Sequence, residues 1–199
     1  MGDATSPGMK PLLIAFGLLA ATATQPQHHA AKITLPLHLT GALISAGGVG
    51  NPTGTGRVEL QIKRWSSANE RSALLKALTE KGQDELLHQL SGAKSVGTIR
   101  VNTQLAWDLR YAREIPDEEG GTRVFLATDR PMSAWEIWNE PRYSQYPFTL
   151  IDLRFPPEGE PTGALMLAAK VTPDKDGRFV NVENFATQPI QMTDVHIEH

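Results

Sequence analysis

Cysteine is absent from the 199 residues, which excludes a disulfide framework, a thiol nucleophile and every thiolate metal site. Aromatic residues are sparse at 7%, and no apolar run reaches the roughly 20 residues that a membrane-spanning helix needs. Neither sign of charge dominates: 19 basic and 22 acidic side chains leave a formal charge of −3, with no basic block to hold a phosphate backbone, so nucleic acid is not an expected partner. Signatures of chemistry are missing too. There is no G-x-S-x-G, no H-E-x-x-H and no G-x-G-x-x-G opening a helix, so hydrolase, zincin and dinucleotide readings have no support and no cofactor is implied.

What is present starts with an address. Lys10 precedes the apolar run Pro11 to Ala21, and the small residues Ala21-Thr22-Ala23 follow, the order of a secretory signal peptide with cleavage after Ala23. Residues 1–23 are thus expected to be removed, residues 24–31 to form a flexible leader, and the mature chain to keep no stable membrane anchor. An exported protein without disulfides depends on its core, and with 40% hydrophobic residues one β-rich domain is expected over 32–199. His28 and His29, adjacent in the leader, and His38, His88, His196 and His199, scattered elsewhere, make no metal-binding pattern.

Period-two alternation dominates the remainder. Ile33, Leu35, Leu37 and Leu39 alternate with polar residues, Pro36 suiting an edge or an irregular start; Val58, Leu60 and Ile62 do the same over Arg57 to Trp65. The glycine-rich run Gly47 to Gly56 lacks a phosphate loop's ending and reads as a flexible connection. A helical hairpin over about 67–91 interrupts the strands. Ser67 and Glu70 stand as a capping box requires, Gly82 stops the first helix, and Leu86, Leu87 and Leu90 give the second an apolar stripe ending at Gly92. Beyond it, strands are predicted over Val96 to Asn102, Leu105 to Ile115, Thr122 to Thr128, Phe148 to Phe155, Gly163 to Thr172, Arg178 to Phe185 and Ile190 to Glu198, joined by Pro-, Gly- and Asp-rich turns. The expected fold is mainly β with a helical insertion. A closed antiparallel meander barrel, calycin-like, is favoured over a β-sandwich because closure removes strand edges.

The most specific pattern occurs twice: Trp107-Asp108-Leu109-Arg110-Tyr111 and Ile151-Asp152-Leu153-Arg154-Phe155. Strand geometry sends Asp and Arg of each phrase to one face and their apolar neighbours to the other. The polar sets either pair on a solvated face, contributing at most about 1 kcal/mol per exposed pair, or line a cavity where the arginines fix an anionic or carbonyl group. Between the phrases, the insert Pro131 to Pro147 carries Trp135 and Trp138 three residues apart, suited to a lid over a pocket or to a buried cap. The candidate ligand-binding residues are therefore Asp108, Arg110, Arg130, Trp135, Trp138, Asp152 and Arg154, with a small amphipathic or aromatic molecule as ligand. Asp108, Asp129, Asp152 and Glu136 are carboxylates suited to acid–base work, and an enzyme of cyclase or isomerase type would need Asp108 or Asp152 enclosed as a base beside an arginine. An envelope interaction module with exposed tryptophans and no pocket is the third reading.

The phrases Arg64-Trp65-Ser66-Ser67, Trp107 to Ala112 and Leu126 to Pro131 resemble those of a group of uncharacterised exported bacterial proteins, the resemblance running from about Gly56 to the end. It implies a bacterial protein of the periplasm or the cell exterior. It implies no activity and no site residues.

Overall fold

The computed structural model describes residues 33–48, 51–118, 120–132, 143–175, 180–186 and 188–198, and in them the alternating runs become strands while the 67–91 stretch becomes two helices. The elements are β1 (Leu37–Gly48), β2 (Asn51–Ile62), α1 (Ala68–Lys81), α2 (Gln83–Ser91), β3 (Gly97–Val101), β4 (Trp107–Leu109), β5 (Tyr111–Pro116), β6 (Thr122–Ala127), β7 (Phe148–Phe155), β8 (Thr162–Pro173), β9 (Val180–Asn184) and β10 (Ile190–Glu198). All strand pairs are antiparallel and belong to one ten-stranded sheet, in the order β4-β3-β2-β1-β10-β8-β7-β6-β5, with β9 attached to β8 off this path.

Most neighbours in that order are successive in the chain, as a meander requires. The expected closure is corrected, however: the hydrogen-bonded path is open between β4 and β5. Those strands follow one another with only Arg110 between them, so they lie end to end and cannot also lie side by side. The single strand foreseen over Leu105 to Ile115 is accordingly two. Leu109 and Ala112 both face the core, where strict alternation would put one residue between them rather than two. Arg110 and Tyr111 both turn the other way, and Tyr111, expected beside Trp107 and Leu109, instead joins the cluster under the helices.

The glycine-rich run is corrected as well. Gly47 and Gly48 end β1 and Gly54 and Gly56 lie in β2, so the run forms the far arms of a hairpin in register from Leu37 opposite Ile62 to Gly48 opposite Asn51. The positive φ of Gly47 and Gly48, 81° and 116°, accounts for glycine near the reversal. At Gly97 the need is steric: a Cβ there would sit 1.9 Å from the Gln61 carbonyl oxygen across the ladder.

One apolar cluster collects side chains from both ends of the sheet. Ile62, Ile99 and Leu109 come from one half and Leu126, Ile151 and Leu165 from the other, all under 2% exposed. Each contributes roughly 1.5–3 kcal/mol by leaving water. A second cluster lies where the helices cover β5, β7 and β8: Leu78 and Leu90 are buried with Phe148 and Val171, and Leu74, Leu86, Leu87, Tyr111 and Leu150 pack on them. The capping box at the start of α1 is complete, with Glu70 N–H donating to Ser67 Oγ at 3.2 Å and Ser67 N–H to Glu70 Oε2 at 2.7 Å. Gly82 then separates the two helices, as expected.

The insert is described only at its stems. Met132 N–H donates to Thr149 Oγ1 at 2.7 Å, and the buried Thr128 and Thr149 cross-bond there. At the other stem Tyr146 is buried edge-on against Phe185, with ring centroids 5.2 Å apart, and its hydroxyl donates to Glu183. Trp135, Glu136 and Trp138 lie outside the described residues, as do residues 1–32 with the predicted signal peptide and leader, and His199.

Candidate functional site

Where β4 runs into β5, the alternation breaks and Arg110 is turned toward the helical hairpin. Its Nη1 donates to the Ala93 carbonyl at 3.0 Å, in the linker that leads from α2 to β3. Its Nη2 lies 3.3 Å from Asp108 Oδ2, and its Nε lies 3.4 Å from Asp129 Oδ2 without the alignment of a hydrogen bond, so that buried N–H has no hydrogen-bond partner among the described residues. Exposure separates the two acids. The Asp129 side chain is 8% exposed and is held by a desolvated charge pair, whereas the pairing of Asp108, at 46%, is screened by solvent. Asp129 also lies 3.5 Å from Arg130 Nε, and the Arg130 guanidinium stands 5.5 Å from the centre of the Trp107 ring, within cation–π range.

A second arginine grips the same linker from the other side. Arg64 follows β2 and holds Glu70 of α1 with two parallel contacts of 2.9 Å, while its Nη2 donates to the Lys94 carbonyl at 3.1 Å. The Arg64 hydrogen bonds, and after them the Ser67 backbone N–H, pull the Glu70 carboxyl down to about 2; the same pairing raises Arg64. Between these clamps lies a groove of about 990 Å³, open to solvent on one side and lined by Arg64, Ser67, Glu70, Ala73, Leu74, His88, Gln89, Ser91, Gly92, Ala93, Lys94 and Arg110.

The second phrase has different surroundings. Ile151 and Leu153 enter the core, and Asp152 and Arg154 point away from it. Both Asp152 oxygens are taken by Arg123 of β6, at 2.7 and 2.5 Å, and the Arg123 guanidinium lies 4.5 Å from the Phe125 ring centre. Asp152 raises Arg123 above its ordinary value. Arg154 lines a small hollow of about 180 Å³ with Ile115, Pro116, Asp117, Glu118 and Arg123.

Of the residues foreseen, Asp108, Arg110 and Arg130 are brought together at the β4–β5 junction, and Asp152 and Arg154 belong to a separate outward patch on β7. Sequence reasoning missed Arg64, His88 and Lys94. The available signal was Arg64 standing just ahead of a capping box whose glutamate it could reach. Among the described residues no group of three or more His, Asp or Glu side chains is placed to hold a metal ion, and no helix among them is long and apolar enough to cross a membrane. The chain matches no family model, and no curated protein or solved structure is significantly similar to it.

Proposed function

We propose that the protein is a binding protein, exported to the periplasm or beyond the cell, that takes a small amphipathic or aromatic molecule in the groove between the helical hairpin and the β4–β5 junction. The observation that carries this reading is the groove itself. Its volume of about 990 Å³ lies at the upper end of the roughly 300–1,000 Å³ common for small-molecule sites, and it sets apolar Ala73, Leu74 and Ala93 among polar groups on both walls. Export rests on the Lys10 to Ala23 pattern and would be checked by an N-terminus beginning after Ala23 in the mature protein.

In this reading the open sheet curls around a filled core, with the ligand seated outside its wall. Three features support it. Arg110 directly joins the end strands, Ser66 of the β2–α1 connection exchanges two hydrogen bonds with the Ala112 backbone of β5, at 2.9 and 3.1 Å, and one apolar cluster spans the sheet. The enzyme reading has less support: both Asp152 oxygens are occupied by Arg123, Asp108 is half exposed, and the enclosed Asp129 sits between Arg110 and Arg130 and is not part of the groove lining. An interaction module is favoured by one observation, the exposed Val180 and Val182 on β9, a strand that pairs with β8 alone among the described residues.

Calorimetric titration with medium-chain carboxylic acids, phenols and aromatic amines tests the proposal. One saturable site is expected, lost in Ala73→Phe, which fills the groove from an exposed helix position. Indifference to all three classes, or binding that Ala73→Phe leaves intact, would sink it.

A further inference from the structure

The groove's lining carries three cations, Arg64, Lys94 and Arg110, against one anion, Glu70, in a chain whose overall charge is −3. Two of the three are already committed. Arg64 is tied to both oxygens of Glu70, and Arg110 faces Asp108 and Asp129. What those guanidiniums do instead is fix the linker: one holds the Lys94 carbonyl, the other the Ala93 carbonyl, and Ala93 N–H is anchored to Leu90 O at 3.0 Å. Lys94 therefore stands on a backbone gripped from both sides, exposed at the lip of the groove, and makes no ion pair among the described residues. A cation on a fixed backbone beside an apolar floor suits a small anion carried on an apolar body, because the backbone is already ordered and only the lysine side chain is left to order on binding.

We infer that the ligand is a free monoanionic amphiphile, with a carboxylate or sulfonate head, and that Lys94 is the residue that selects it, the apolar part lying over Ala73, Leu74 and Ala93. This rests on the groove being the binding site. Arg64 and Arg110 are positioning residues in this account, since they act on the ligand through Lys94.

The test uses two probes with one aromatic scaffold, 1-anilinonaphthalene-8-sulfonate and its uncharged counterpart N-phenyl-1-naphthylamine, titrated by fluorescence against the folded chain. The sulfonate is expected to bind the more tightly. Lys94→Ala should weaken the sulfonate by about 5- to 10-fold and leave the neutral probe unchanged, while Lys94→Arg keeps the sulfonate within about 2-fold. Far-UV circular dichroism is expected to match across the variants, because the Lys94 side chain makes no hydrogen bond or ion pair among the described residues. Equal affinity for both probes, or a Lys94→Ala loss shared by both, overturns the anion assignment and leaves the groove reading standing. Binding of neither probe overturns both.

Discussion

Asp108-Leu109-Arg110 and Asp152-Leu153-Arg154 spell the same three residues in the same sheet, and their leucines do the same thing: both are buried without exposure in the one apolar cluster. Their charged residues do not. In the second phrase the strand continues undisturbed, the aspartate is held by Arg123 from the neighbouring strand, and the arginine points outward. In the first the strand breaks at the arginine, which turns to the nearly buried side chain of Asp129 and to the carbonyl of the helix linker. The phrase determines which face each residue takes; whether a face becomes surface or site is determined by what the rest of the chain lays over it. Here the difference is the helical hairpin, which covers Arg110.

Substitutions can sharpen or break that contrast. Leu109→Ala and Leu153→Ala should each cost about 2–5 kcal/mol in urea unfolding and by similar amounts, since both leave a cavity in one cluster; a clear inequality would mean that the two halves of the sheet do not share a core. Arg110→Ala leaves the buried Asp129 with only the exposed Arg130 and releases the linker, and about 2–4 kcal/mol is expected, whereas Arg154→Ala should stay within about 0.5 kcal/mol. Equal losses would erase the distinction between the two arginines. With the acids the order inverts: Asp152→Ala, which unseats Arg123, should cost about 1–2 kcal/mol and the half-exposed Asp108→Ala less than about 0.5 kcal/mol.

The smallest effect is reached with pH. Glu70 is depressed to about 2 in the folded chain from an ordinary 4.5, so its contribution is present above about 4.5 and is lost as pH falls through 2. Because the group is about one-third exposed, solvent screening reduces that contribution to about 1 kcal/mol or less. Comparing native chain and Glu70→Gln in urea at pH 6 and at pH 2.5 should show the gap between them narrowing in acid. A gap that persists at pH 2.5 would mean that Glu70 acts by its shape in the capping box and not by its charge.

These particular residues also mark how far the sequence carries. The capping box at Ser67 and Glu70, the stop at Gly82 and the bounds of β7 and β10 were legible, because each is a local matter of spacing and backbone chemistry. The break at Arg110 was not. Trp107, Leu109 and Tyr111 keep perfect alternation, and only the pull of Ala93, Asp129 and the helices makes the chain give it up. The glycine-rich arms of the first hairpin lacked side chains to announce a strand, and their register is imposed by pairing further down. The groove was hidden for a third reason: its charged lining comes from residues 64, 70, 94 and 110, on separate segments that only the finished fold brings together.

The position of β10 has a consequence for how such a chain comes into being. It is inserted between β1 and β8, joining the half that holds β2, β3 and β4 to the half that holds β5, β6 and β7. During synthesis, then, the nascent chain can form two separate ribbons but has no strand with which to join them until residues 190–198 have left the ribosome. Until that moment the edge of β1 and the Gly163–Leu165 stretch of β8 that β10 will pair are open to any extended segment nearby, and a chaperone that guards exposed strands would have its work there.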